Sequence, residues 1–178
     1  NMLSHLPELL EAGVCSLKIE GRMKTEYYVA TVVGAYRRAL DAQEASESAY
    51  RALLPALEAE LRKASHRAFN TGFYFGAPRP ASGAAGFTQG MEYVGRVMAW
   101  QDGMATVSLK NRFYVGDTLE LLSPAGTQPF QVTGIRLASG EAVDTVSVAG
   151  QEILLPLPLP AAPGDFLRGP NRNHQAAK

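Results

Sequence analysis

Val14-Cys15-Ser16-Leu17-Lys18-Ile19-Glu20-Gly21-Arg22-Met23-Lys24 is the stretch on which the chain turns. Cys15, Leu17 and Ile19 are apolar, and Ser16, Lys18 and Glu20 between them are polar. A period of two marks a strand, whose successive side chains face opposite ways. Gly21 permits a sharp turn after it. Thr25 is placed to cap a helix, and Val29, Val32, Val33, Tyr36 and Leu40 follow at helical spacing, predicting a helix over 25–42.

A strand that runs straight into a helix cannot bury itself. It needs parallel neighbours, and the helix needs a sheet to lie on. The pattern therefore predicts the end of a (β/α) barrel. In that fold one parity points into the lumen and the C-terminal end of each strand forms the active face. Lys18 and Glu20 would look inward, with Arg22 on the rim. Glu20 and Arg22 are the candidate catalytic residues. Glu20 has the chemistry to orient or deprotonate a substrate group, and Arg22 to clamp a carboxylate or phosphate bidentately. Lys18 and Lys24 are candidate substrate contacts. The competing reading is an ion pair between Lys18 and Glu20 that only neutralises buried charge.

Working back from this stretch, His5 to Ala12 reads as a helix with Leu6, Leu9 and Leu10 on its apolar stripe and Gly13 as its C-cap. Working forward, Arg37 and Arg38 are expected near the end of the 25–42 helix, where positive charge suits the macrodipole. Residues 43–48 read as a connection. Pro55 is expected to open a new helix running to Ser65, with Leu57 and Leu61 on one face and Glu58, Glu60, Arg62 and Lys63 on the other. His66 to Gly76 is aromatic and punctuated by glycine. It reads either as a hydrophobic plug or as a loop whose rings stack on a base, with His66 and Arg67 as phosphate contacts. Thr71 and Phe73 join the candidate substrate-binding set.

Residues 77–91 hold Pro78, Pro80, Gly83, Gly86 and Gly90 and read as a linker. The pattern then changes to short alternating runs. Strands are expected over 93–100, 104–109, 118–122, 130–137 and 143–148, with later segments at Ile153 and Asp165–Arg168. Asp102-Gly103 is a hairpin signal between the first two. Regular spacing and glycine turns predict a small antiparallel barrel over 92–170, and the last residues, 171–178, a disordered tail. Val115-Gly116-Asp117-Thr118-Leu119-Glu120 and Pro163-Gly164-Asp165-Phe166-Leu167-Arg168 are similar to the glycine-aspartate corners of translation-factor-type barrels. Arg96, Lys110, Arg112 and Arg168 form a candidate RNA-binding face, set against the plainer reading of scattered solvated charge. The expected fold class is α+β, with residues 1–76 as the end of the (β/α) barrel and 92–170 as the antiparallel barrel.

Composition narrows the function classes. The 178 residues carry no net charge, so no global electrostatic footprint argues for nucleic acid or a membrane surface. No apolar run is long enough to span a bilayer, which makes a cytoplasmic location the default. The single cysteine, Cys15, rules out an internal disulfide framework and cannot by itself hold a metal. It lies on the apolar parity, where a small buried thiol is common. The chain opens on Asn1 just before a helix, as a piece of a longer protein would.

Ser16 to Lys24, followed by Tyr28-Val29-Ala30 and Tyr36-Arg37-Arg38-Ala39-Leu40-Asp41, resembles the signature of peptidase family U32, the collagenase-like proteins. Phe69-Asn70-Thr71-Gly72-Phe73-Tyr74-Phe75-Gly76 is similar to a further segment of that family, and the remainder resembles its C-terminal barrel domain. The resemblance implies one of two activities: peptide hydrolysis, or the prephenate-dependent hydroxylation of a tRNA uridine carried out by proteins similar to these. It also implies an iron–sulfur cluster in the full-length protein, with no cofactor or metal in this part. The expected partners are tRNA or another RNA, or a peptide. A non-catalytic interaction or dimerisation module is the remaining alternative. No nucleophile elbow, zinc-protease helix or phosphate loop occurs in the chain.

Overall fold

A computed structural model describes residues 1–77 and 86–172 and divides into two compact units, Asn1–Gly90 and Met91–Lys178. The expected tail over 171–178 and the middle of the expected linker fall largely outside the described residues.

The first unit is helical. A 3₁₀ turn over Leu3–His5 leads into α1 (Leu6–Glu11), which stops at Gly13 with φ +83°. The strand expected over 14–20 is not formed; these residues lie in no regular element. A strand exists only where a second backbone pairs with it, and none lies alongside here. Without a covering layer Cys15 is exposed rather than buried.

α2 (Glu26–Ala45) starts where the sequence placed it, with the Thr25 hydroxyl accepting from the Tyr28 amide. It runs past the predicted end, so Arg37 and Arg38 stand mid-helix and Arg37 pairs with Asp41 one turn on. The expected connection over 43–48 shrinks to one residue. Ser46, with extended backbone at φ −173°, donates its amide to the Ala42 carbonyl and accepts on its hydroxyl from the Ala49 amide. It closes α2 and caps α3 (Glu47–Leu61) at once. Pro55 therefore sits inside α3 rather than at its start. Loss of an amide there costs about 3 kcal/mol in an isolated helix. Burial of Tyr50 before it and Leu57 and Leu61 after it offsets that cost. Glu60, expected on the solvent face, is buried and reaches Lys63 at 3.4 Å. α2 and α3 pack on each other around Leu3, Leu6, Ala35, Ala39 and Leu57.

The second unit is an antiparallel sheet. β1 (Met91–Gln101), β2 (Met104–Leu109), β4 (Thr118–Ser123), β5 (Gly126–Gln131), β6 (Ile135–Leu137), β7 (Ala142–Val143), β9 (Glu152–Pro156) and β10 (Phe166–Pro170) form one eight-stranded sheet in the order β5-β4-β10-β1-β2-β9-β6-β7. β3 (Phe113–Tyr114) pairs separately with β8 (Thr145–Val146). The expected barrel is not closed: β5 and β7 are edges. The single strand expected over 130–137 is broken at 132–134, and that over 143–148 is two short pieces. Asp102 (φ +50°) and Gly103 (φ +80°) make the predicted hairpin turn. Alternation on β2 is as read: Ala105, Val107 and Leu109 are fully buried in the core with Leu119, Ile153, Leu155 and Leu167.

The two glycine-aspartate corners are one device used twice. Asp117 accepts from the Tyr114 amide at 2.9 Å, and Asp165 from the Ala162 amide at 2.8 Å. At each corner the glycine amide donates to a valine carbonyl, Gly116 to Val132 and Gly164 to Val97. The same valines donate back to the Asp117 and Asp165 carbonyls. The strands that leave the corners, β4 and β10, pair antiparallel with Arg168 opposite Glu120.

Arg168 is fully buried and its guanidinium meets Glu120 at 2.7 Å and the Thr127 hydroxyl at 3.1 Å. It is therefore a structural ion pair and no part of an RNA-binding face. Removing one partner of such a pair strands a buried charge. Glu120→Ala is expected to lower unfolding free energy by on the order of 3 kcal/mol. The double change Glu120→Leu with Arg168→Met should cost much less, as measured by urea denaturation.

Candidate functional site

A cavity of about 410 Å³ in the first unit is built from the decisive stretch, α2 and the segment after α3. Lys18, Glu20 and Lys24 line it, with Tyr28 and Tyr36 from α2. His66, Arg67, Phe69 and Phe87 complete it. α2 presents Tyr28, Val32 and Tyr36 together because they recur at helical spacing, and Tyr27 turns to the core instead. Phe87 is brought in by a backbone bridge, in which His66 donates to Thr88 at 2.9 Å and accepts from it at 2.7 Å. Gly90 continues that contact, its amide bonding the Arg62 carbonyl; a Cβ there would lie 3.2 Å from that oxygen.

Lys24 sits 4.5 Å from the Phe87 ring centre and 5.3 Å from that of Tyr28, and the Arg67 guanidinium sits 4.7 Å from Phe87. Glu20 accepts from the Arg22 amide at 2.9 Å, a turn that holds one carboxylate oxygen in place. Among the described residues no ion pair joins Lys18 and Glu20. His66 holds the Ala64 carbonyl through Nδ1 at 2.8 Å and stacks on Phe69 with centroids 4.5 Å apart.

Of the residues singled out from sequence, Lys18, Glu20 and Lys24 come together here. Arg22 is exposed and does not line the cavity. Thr71 and Phe73 lie in the turn after Asn70 and do not line it; Phe73 is 80% exposed, with Tyr74 and Phe75 beside it also exposed. That turn is not a buried plug within this chain. Phe87 and Tyr36 are site residues that sequence reasoning missed. The signal for Phe87 is a lone aromatic in a stretch of alanine, glycine and threonine. In the second unit Arg96 faces out from β1, and Lys110 and Arg112 are exposed in the turn after β2.

The Tyr36 phenol accepts from the Met2 amide at 2.9 Å and donates to the Asn1 amide oxygen at 2.9 Å. Burial raises its pKa above the ordinary tyrosine value, against a smaller lowering by the Met2 bond. Tyr50, bonded to the Leu3 carbonyl at 2.6 Å, is shifted the same way by burial. A raised folded-state pKa gives stability that is whole below the unfolded value and is lost as pH rises toward the folded one. Unfolding free energy should therefore fall above about pH 10, the ordinary tyrosine value. Tyr36→Phe and Tyr50→Phe should each flatten that fall, measured by urea denaturation at pH 8 and above pH 10.

Comparison with known protein families divides the chain near the boundary between the two units. Tyrosine-rich α2 and the decisive stretch lie within residues 1–83, which match the profile described as peptidase family U32. Residues 89–168 match that described as the peptidase family U32 C-terminal domain. The tRNA hydroxylation protein P of Escherichia coli is 33% identical over 163 residues, covering 88% of this chain and 35% of that protein. The tRNA hydroxylation protein P1 of Bacillus subtilis is 35% identical over 128 residues, covering 69% of this chain and 30% of that protein. The crystal structure of the C-terminal domain of a Geobacillus thermoleovorans U32 peptidase is similar at 25% identity and TM-score 0.43, covering 45% of this chain and 93% of that one. The chain thus spans about a third of the length of the curated relatives it matches. With two profiles of one family matching residues 1–83 and 89–168 in succession, the chain belongs to peptidase family U32.

Proposed function

We propose that this chain is part of an RNA-modifying enzyme that hydroxylates a tRNA uridine. The carrying observation is the likeness to tRNA hydroxylation proteins across 88% of the chain, with the stretch that brings Lys18, Glu20 and Lys24 to one cavity inside the family match over 1–83. On this reading residues 1–76 close a (β/α) barrel, whose parallel neighbours would give residues 14–20 the pairing they lack alone. Glu20, with one carboxylate oxygen engaged by the Arg22 amide, offers the other to a substrate group. Lys18 and Lys24 flank it, and Arg22 is a rim contact. Arg96, Lys110 and Arg112 are positioning contacts for RNA on the second unit.

An iron–sulfur cluster is bound by several thiolates. Cys15 is the one cysteine of the chain and is exposed, and the described residues hold no group of metal-binding side chains. This chain's residues do not fit a cluster. The peptidase alternative has less support. Among the described residues neither His5 nor His66 is hydrogen-bonded to a serine or cysteine, the pairing that a nucleophile and its base would show. No described helix is long and apolar enough to cross a membrane.

Nucleoside mass spectrometry of total tRNA tests the proposal. Cells lacking the full-length gene should lose a hydroxylated uridine, and the intact gene should restore it. Glu20→Gln should restore it at a rate lower by about a hundredfold or more. Unchanged tRNA in the deletion strain would overturn the proposal.

A further inference from the structure

Three cations, Lys18, Lys24 and Arg67, line the cavity of the first unit against one carboxylate, Glu20. Among the described residues none of the three has a carboxylate partner. Three other cations of the same unit are paired, Arg37 with Asp41, Arg51 with Glu47 and Lys63 with Glu60. At the cavity, Lys24 and Arg67 rest instead on the Phe87 ring, at 4.5 and 4.7 Å. Contact with a ring face holds a cation in place without cancelling its charge. The site therefore keeps a surplus of positive charge in fixed positions.

The rings themselves remain partly open. Phe87 is 57% exposed and Phe69 39%, both at the same cavity as the cations. A lone inorganic anion would use only the charges. Cations interleaved with exposed rings suit a single nucleic-acid strand, whose phosphates and bases alternate. We propose that this cavity holds a single-stranded segment of RNA, with Lys24 and Arg67, both carried on Phe87, as its phosphate contacts and Lys18 as a third. The inference rests on the RNA-modifying reading and adds where on this chain the strand is gripped.

The test is the salt dependence of RNA binding by the full-length protein, read by fluorescence anisotropy with a labelled oligouridine. Each phosphate contact removed should lower the slope of log affinity against log salt by about 0.7. Arg67→Gln is the first variant, because Arg67 is exposed and carries no core packing; Lys24→Gln is the second. Arg67→Lys and Lys24→Arg, which keep the charge, should retain the wild-type slope. A thermal melt accompanies each variant. Unchanged slope and affinity in folded Gln variants would overturn the inference while leaving the RNA-modifying reading intact. The inference fails in the same way if inorganic phosphate binds in a Lys24- and Arg67-dependent manner but the RNA slope does not move, which marks a small-anion site. A wild-type protein that binds no RNA would remove the underlying reading and this inference together.

Discussion

The guanidinium of Arg168, with no exposure to solvent, is satisfied by Glu120 on the adjacent strand β4 and by Thr127 on β5 beyond it. A charge in that position demands a partner at fixed register, because an unpaired buried ion costs several kcal/mol. The pairing of β10 with β4 is thereby pinned: one residue of slip would leave Arg168 facing a leucine. The two residues occupy equivalent places after the two glycine-aspartate corners, so the ion pair joins the two copies of one turn-and-strand device. The rest of the sheet extends outward from that join through β1 and β2 on one side and β5 on the other.

In the first unit the comparable constraint is the two-bond bridge between His66 and Thr88. It returns the chain to the end of α3 after a long excursion and sets Phe87 against Lys24 and Arg67. Without it the cavity would lose Phe87 and keep the walls made by the decisive stretch, α2 and the segment after α3. The bridge converts a row of charged residues into a site in which charge, ring and carboxylate have fixed places.

This unit also carries apolar surface that its own core does not cover. Met23 is 91% exposed, and Phe73, Tyr74 and Phe75 lie open in a single turn. Val29 and Val33, the α2 residues on the side opposite Thr31 and Ala35, are exposed as well. In the reading of residues 1–76 as the end of a (β/α) barrel, these are the surfaces that neighbouring strands and helices would cover.

Local signals are legible in the sequence over much of the chain. Thr25 at the head of α2, the Asp102-Gly103 hairpin turn, the alternation on β2 and the Asp117 and Asp165 turn bonds at the two corners follow from residues close in sequence, so sequence alone determined them, while the valine bonds that complete each corner reach across the sheet. Alternation over 14–20 is equally plain, yet no strand forms, because a strand's hydrogen bonds belong to its neighbour. Pro55 reads as a helix start until burial on both sides carries α3 through it, and Arg168 reads as surface charge until Glu120 stands opposite. Lys18, Glu20 and Lys24 are legible as a group, while Phe87 enters the cavity only through the bridge to His66. What the sequence determined is the set of short-range turns, caps and faces. The tertiary structure decided which faces are covered, which charges are paired and which distant residues meet, because burial and pairing depend on partners that no local pattern names.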